Sequence, residues 1–165
     1  MDFERAGIGP LRRLATRAVW WTALLAGRIT RPMTLGVRVA VYDAEGRIFL
    51  VRHTYVPGYH MPGGGVDRGE SAEAAAVREL REEGAIGVGS RPALFGFYFQ
   101  RSLKWDHVAL YVVRDPVLPP APPPPNREIA ACGFFAPDAL PEGTTPATRR
   151  RLAELAGAVP PASEW

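Results

Sequence analysis

The sequence is almost without cysteine and lysine. Cys132 is the only thiol in 165 residues, which excludes an intrachain disulfide and suits a reducing cytoplasm. Lys104 is the only lysine, so arginine supplies nearly all of the 20 basic residues. The formal net charge is only +3. That is a mild preference for anionic ligands and too little for a dedicated DNA binder. Long hydrophobic runs are missing too. The most apolar stretch, residues 18–27, falls far short of the roughly 20 residues that span a bilayer core, so stable membrane insertion is not expected. Arg12, Arg13 and Arg17 ahead of it imitate a signal peptide. Trp20 and Trp21 are too bulky for one, no small-residue cleavage site follows, and Arg28 and Arg31 come soon after.

What remains is an ordinary globular composition, 47% hydrophobic and 22% charged, long enough for one domain with its own core. Residues 1–33 read as an amphipathic helix, begun by Pro10, and a connection; its Trp20-Trp21 face offers a homodimer interface. Residues 34–157 form the domain, and residues 158–165 a loose tail. Within the domain, residues 34–42 alternate as a strand, residues 43–46 turn, and residues 47–54 return as a hairpin partner. Ile48, Phe49, Leu50 and Val51 are apolar without interruption, which predicts burial on both faces. Ser71 is placed to cap a helix over residues 72–84. Strands follow at 93–100 and 107–113. Residues 116–125 contain seven prolines and form a stiff extended connection that cannot be a central strand. Residues 128–135 read as the last strand. Thr144 or Thr145 caps a closing helix that reaches about residue 157, with Pro146 in its first turn.

The chemistry concentrates between residues 63 and 86. Glu79, Glu82 and Glu83 stand three and four apart, so a helix carries all three carboxylates on one face. Like charges at that spacing cost about 0.2–0.5 kcal/mol per pair, and a bound cation reverses the sign. Hard divalent ions prefer such oxygen ligands. Arg78 and Arg81 supply a competing reading, an ion-paired solvated face. Gly63, Gly64, Gly65 and Gly69 just ahead of the helix tip the balance, because a glycine corner lets the backbone approach an ion or phosphate closely.

This stretch resembles the Nudix box: Gly64, Glu70, Arg78, Glu79, Leu80, Glu82, Glu83 and Ile86 occupy eight of its nine defined positions. Ala85 stands where the box has the glycine that normally ends the helix, and Gly84 and Gly87 are alternative sources of that turn. The resemblance implies an α+β fold, an α/β/α sandwich around a mixed sheet, here with an extra N-terminal helix. It implies a magnesium-dependent hydrolase of P–O–P linkages, with manganese a substitute cation. Glu79, Glu82 and Glu83 would bind the metal, together with the Gly63 carbonyl. Arg78 and Glu70 would hold the ligands and the loop–helix junction in place. Family members often carry a further glutamate six residues before an aromatic on the last core strand. Glu128 precedes Phe134 by six, which makes it a candidate ligand or general base, with a salt-bridged strand-end glutamate as the alternative.

The substrate expected is a small nucleoside diphosphate derivative or nucleotide. Arg52, His53, Tyr55, Tyr59 and His60 cluster before the glycine loop, and Arg52, Tyr55, Tyr59 and His60 are the candidates to recognise the substrate, aromatics by stacking and arginine through phosphate. Phe97, Tyr98, Phe99, Arg101 and Trp105 form a second cluster. Two other functions remain open: removal of pyrophosphate from an RNA 5′ end, and a nucleotide-sensing module without turnover. Cys132, in a Cys-Gly-Phe-Phe strand, reads as a core residue.

Overall fold

A computed structural model describes residues 33–101, 106–121 and 123–165. The expected helix over residues 10–29 lies outside them, as does Trp105. The described chain runs β1 (Thr34–Val41), β2 (Ile48–His53), β3 (Tyr59–His60), α1 (Ala72–Gly84), β4 (Gly87–Val88), β5 (Ala93–Gln100), β6 (Asp106–Val113), β7 (Pro116–Val117), β8 (Ile129–Phe135) and α2 (Pro146–Leu155). Neither of the two described helices is long and apolar enough to cross a membrane.

The strands form a mixed sheet, β1-β6-β5, with β1 and β6 parallel, and an antiparallel sheet, β3-β2-β8. A small ladder joins β4 to β7, which keeps Pro116 on a short edge where its missing donor is harmless. Alternation along the strands divides the core in two. Val37, Val39, Val41, Phe49 and Val51 pack with Ala76 and Leu80 of α1. Ala40, Ile48 and Leu50 pack with Met61, Tyr98, Leu110 and Leu152, the last from α2. The unbroken apolar run of β2 is therefore buried on both faces, as its sequence predicts, and the strands lie between the two helices.

The hairpin expected of β1 and β2 is not what forms. The turn is there: Gly46 N donates to the Asp43 carbonyl at 3.0 Å, and Asp43 accepts from the backbone and side chain of Arg47. After a single bridge, Tyr42 to Ile48, the strands part into different sheets. The reason is competition for the β1 edge. One edge is parallel to β6, and the other is taken by the glycine loop, with Val37 N on the Gly64 carbonyl and Val39 N on the Pro62 carbonyl, both at 2.9 Å. Val66 N completes this contact on the Leu35 carbonyl. The loop ahead of the box is thus held as an irregular strand against the core.

The C-terminal tail is also not loose. Phe99 N donates to the Ser163 carbonyl and Trp165 N to the Phe99 carbonyl, each at 2.9 Å. The Trp165 ring stands edge-on to Tyr98 at 5.5 Å. A large aromatic and the backbone donor and acceptor of Phe99 near the end of β5 supply what composition alone did not reveal.

Candidate active site

Helix α1 begins where Ser71 accepts a hydrogen bond from Ala74 N at 3.1 Å. It ends at Ala85, whose φ of 53° is left-handed, while Ile86 N reaches back to the Leu80 carbonyl. This closure is the one that glycine usually supplies. Ala85 performs it with a side chain present; Gly84 stays helical.

The loop reaches the helix through two glycines. Gly63 has φ of 142°, and a Cβ there would stand 2.1 Å from the Val37 carbonyl oxygen. A Cβ on Gly64 would stand 2.5 Å from Glu79 Oε1. Gly63 is closed to any side chain by backbone, and a side chain at Gly64 would have to displace the Glu79 carboxylate, so the two glycines let the loop backbone lie directly against the carboxylates.

Arg78 ties the junction together. Its guanidinium donates to both Glu70 oxygens at 3.0 Å, to the Gly65 carbonyl at 2.9 Å, to Glu79 at 2.7 Å and to Glu82 at 3.2 Å. Those bonds, first to Glu70 and then to Glu79, hold the Arg78 pKa above its ordinary value, and Arg78 in turn lowers that of Glu70. Glu83 is buried, as Glu79 is. Its Oε2 accepts from Gly63 N at 2.9 Å, and its Oε1 lies 3.4 Å from His53 Nε2. Burial pushes the Glu83 carboxyl up to about 7, against the opposing pull of the Gly63 amide and Arg38. Burial raises Glu79 as well, opposed by Arg78.

The three carboxylates share a helix face without converging on one point: among the described residues no three such groups stand together at metal-binding distances. Glu82 is mostly exposed and turned to Arg78, whereas Glu79 and Glu83 are buried. The donor chemistry nonetheless fits a hard divalent cation, with two buried carboxylates whose charge desolvation disfavours and a third that shares Arg78 Nη1 with Glu79. The Gly63 carbonyl is engaged by Arg38 Nη1 at 2.9 Å, which also binds the Met61 carbonyl at 2.9 Å. Glu128 sits just before β8 with its carbonyl accepting from Thr54 N. Burial lowers the His53 pKa, and the charge of Glu128 opposes that shift; the same charge adds a little to the burial that raises Glu83.

The recognition candidates divide. Arg52 and Tyr55 line a shallow groove of about 550 Å³ with His53 and Ala130. His60 lines a different cleft of about 670 Å³ with Arg38 and Met61. Tyr59 does neither: it packs on the second core cluster, edge-on to Phe135 at 5.5 Å, so its role is packing. Cys132 packs against the first core cluster, and burial raises its pKa.

Two residues gain importance here. Arg38 was not among the sequence candidates; its signal was a charge set inside the apolar alternation of β1. Burial lowers its pKa, while Glu83 and Glu79 resist that shift. His53, singled out only as part of a cluster, is buried beside Glu83 with its Nδ1 unpartnered among the described residues.

Comparison with known proteins agrees with this geometry. A MutT Nudix hydrolase from Burkholderia pseudomallei superposes with a TM-score of 0.64 at 27% identity, over 75% of this chain and 98% of that one. An RNA pyrophosphohydrolase from Gluconobacter oxydans is 41% identical over 61 residues, 33% of this chain and 36% of that protein. A Bacillus subtilis protein named, with a provisional qualifier, 8-oxo-dGTP diphosphatase is 46% identical over 67 residues, 36% of this chain and 45% of that protein. The matched part is thus less than half the length of either curated relative. The NUDIX domain model matches residues 32–155, most of the sequence, and the chain belongs to the Nudix domain family.

Proposed function

We propose that this chain is a magnesium-dependent hydrolase that cuts the P–O–P linkage of a nucleoside diphosphate derivative. The observation that carries the reading is the buried Glu83 carboxylate, held by the Gly63 amide beside Glu79 and directly behind the glycine loop. Glu79, Glu82, Glu83 and a loop carbonyl at Gly63 would hold the cation. Magnesium, or manganese in its place, supplies Lewis acidity and neutralises phosphate charge when bound.

The chain's own residues do the rest. Arg78 keeps Glu79 and the Gly65 carbonyl in register with the helix through Glu70. Arg38 fixes the direction of the Met61 and Gly63 carbonyls. Glu128 is the candidate base, taking a proton at its carboxylate from the attacking water; its charge is felt at Glu83 and His53. Positioning and electrostatics then carry the rate enhancement, and no covalent nucleophile is needed. The hydrolase domain is residues 34–157, with the tail docked against it. A cytoplasmic location suits the single thiol, and a homodimer through the N-terminal segment fits the same reading.

A second reading is hydrolysis at an RNA 5′ end, favoured by the Gluconobacter oxydans relative and by the arginines lining the larger cleft. One assay separates the readings. Purified wild type and Glu83→Gln are incubated with mononucleotides, nucleotide sugars, ADP-ribose, an oxidised nucleotide and triphosphorylated RNA, with and without magnesium, and products are identified by mass. Metal-dependent cleavage by wild type alone supports the hydrolase. Salt-sensitive preference for RNA over every small substrate selects the second reading. Tight binding without cleavage rejects both in favour of a sensor.

A further inference from the structure

The 670 Å³ cleft has one wall that lies outside the Nudix box and outside every site residue named so far. It is lined by Arg38, Met61 and Thr148 on the domain side, and by Arg150, Glu164 and Trp165 on the other. Glu164 and Trp165 belong to the docked tail. Beneath them is a buried polar network. Glu154 accepts from Tyr98 Oη at 2.9 Å, from Arg151 Nη2 at 2.6 Å and from Ala162 N at 3.1 Å. Arg151 Nη1 donates to the Glu164 carbonyl at 2.8 Å. The Arg151 guanidinium also lies over the Tyr98 ring at 4.3 Å and the Trp165 ring at 5.4 Å. Arg151 is 1% exposed and Glu154 5%.

A buried ion pair is a poor way to add stability, because desolvation offsets much of its attraction; its best-attested use is to specify one arrangement. Here the arrangement specified is the course of the tail. Every bond to Ala162 and Glu164 pulls the segment onto the sheet end at the mouth of the cleft. Arg38 joins this cleft to the diphosphate site, since it lines the one and donates to the Gly63 carbonyl of the other. A ligand with its diphosphate at Gly63 and Glu83 can therefore extend past Arg38 and place its organic half in the cleft. The volume falls within the roughly 300–1,000 Å³ of small-molecule sites. The lining offers the Trp165 ring and the exposed guanidinium groups of Arg101 and Arg150, chemistry suited to a base and ribose, while the Thr145 and Thr148 hydroxyls are spent on each other and on the helix cap.

We propose that residues 162–165 are a fixed wall of the nucleoside subsite, clamped by the Arg151–Glu154–Tyr98 network, and that they set which nucleosides are accepted. The identity of the ligand rests on the hydrolase reading; the role of the tail is tested by binding alone. Calorimetry with magnesium compares α,β-methylene ADP with imidodiphosphate on wild type, on a chain ending at residue 161, on Trp165→Ala and on Glu154→Gln. Thermal melts check that each variant folds. Losing the wall weakens the nucleotide analogue about tenfold and imidodiphosphate by no more than about twofold. Should Glu154→Gln fail to fold, Trp165→Ala still carries the test. Equal affinity in all chains, equal loss for both probes, or no nucleotide binding by wild type overturns the proposal. Turnover is scored separately: the expected split without cleavage by wild type rejects the hydrolase reading and upholds the wall.

Discussion

Glu83 Oε2 accepts a 2.9 Å hydrogen bond from the amide of Gly63, twenty positions earlier in the chain. That bond joins the glycine loop to the carboxylate helix, and both ends are constrained. Gly63 cannot carry a side chain, and Glu83 cannot reach solvent easily. Glu83→Gln keeps the size and can still accept the amide bond, so the fold survives. The variant loses roughly a hundredfold or more in turnover, at or above the upper end for removing an outer support of a metal site. Steady-state kinetics beside circular dichroism checks this.

The raised Glu83 pKa makes stability depend on pH. The folded value is about 7 against an ordinary 4.5, so the protonated form is favoured by folding. The associated stability is full below 4.5 and is lost as pH rises through 7. The difference corresponds to about 3 kcal/mol as an upper bound. Buried Glu79, also raised, acts in the same direction. Urea denaturation in chelator at pH 5 and pH 8 therefore gives lower stability at pH 8. Glu83→Gln flattens the difference, and magnesium restores wild type at pH 8.

Arg38 holds two loop carbonyls with one nitrogen. Arg38→Met leaves both without that donor in a half-buried place, at a cost of roughly 1–3 kcal/mol for each unsatisfied group. It also frees the loop, so kcat falls. Arg38→Lys, which keeps a charge but not the fork, recovers only part of both. Denaturant melts and the kcat of the two variants compare directly.

Ala85 adopts a left-handed conformation that costs a non-glycine residue about 1–2 kcal/mol. Glycine removes that strain but gains freedom when unfolded, worth about 0.4–1 kcal/mol. Ala85→Gly should therefore raise stability by up to about 1.5 kcal/mol, read as a higher midpoint of thermal unfolding, without changing kcat.

Local features were the legible ones. The cap at Ser71, the helix to Gly84, the doubly buried run Ile48 to Val51 and the Pro146 start of α2 all follow from propensity and periodicity over a few neighbours. The carboxylate spacing was equally readable, since three- and four-residue offsets fix a helix face. Long-range choices were hidden. That β1 gives its edge to residues 62–66 instead of β2 depends on which of two partners wins backbone bonds. Arg38 drew no reading because its carbonyl partners lie more than twenty residues away. The tail read as loose because Pro160 and Pro161 hide a docking that Glu154 and Trp165 make only in three dimensions. Tyr59 looked available for stacking, and its strand register turned it toward Phe135.

Manganese titration of the purified chain, followed by calorimetry or paramagnetic resonance with α,β-methylene ADP present, examines the carboxylate helix itself. Wild type should take up the ion, and Glu79→Gln and Glu83→Gln should each weaken uptake by roughly ten- to a hundredfold while remaining folded. Wild type that takes up no ion, or variants that bind it as well as wild type does, would contradict the assignment of this helix as the metal site.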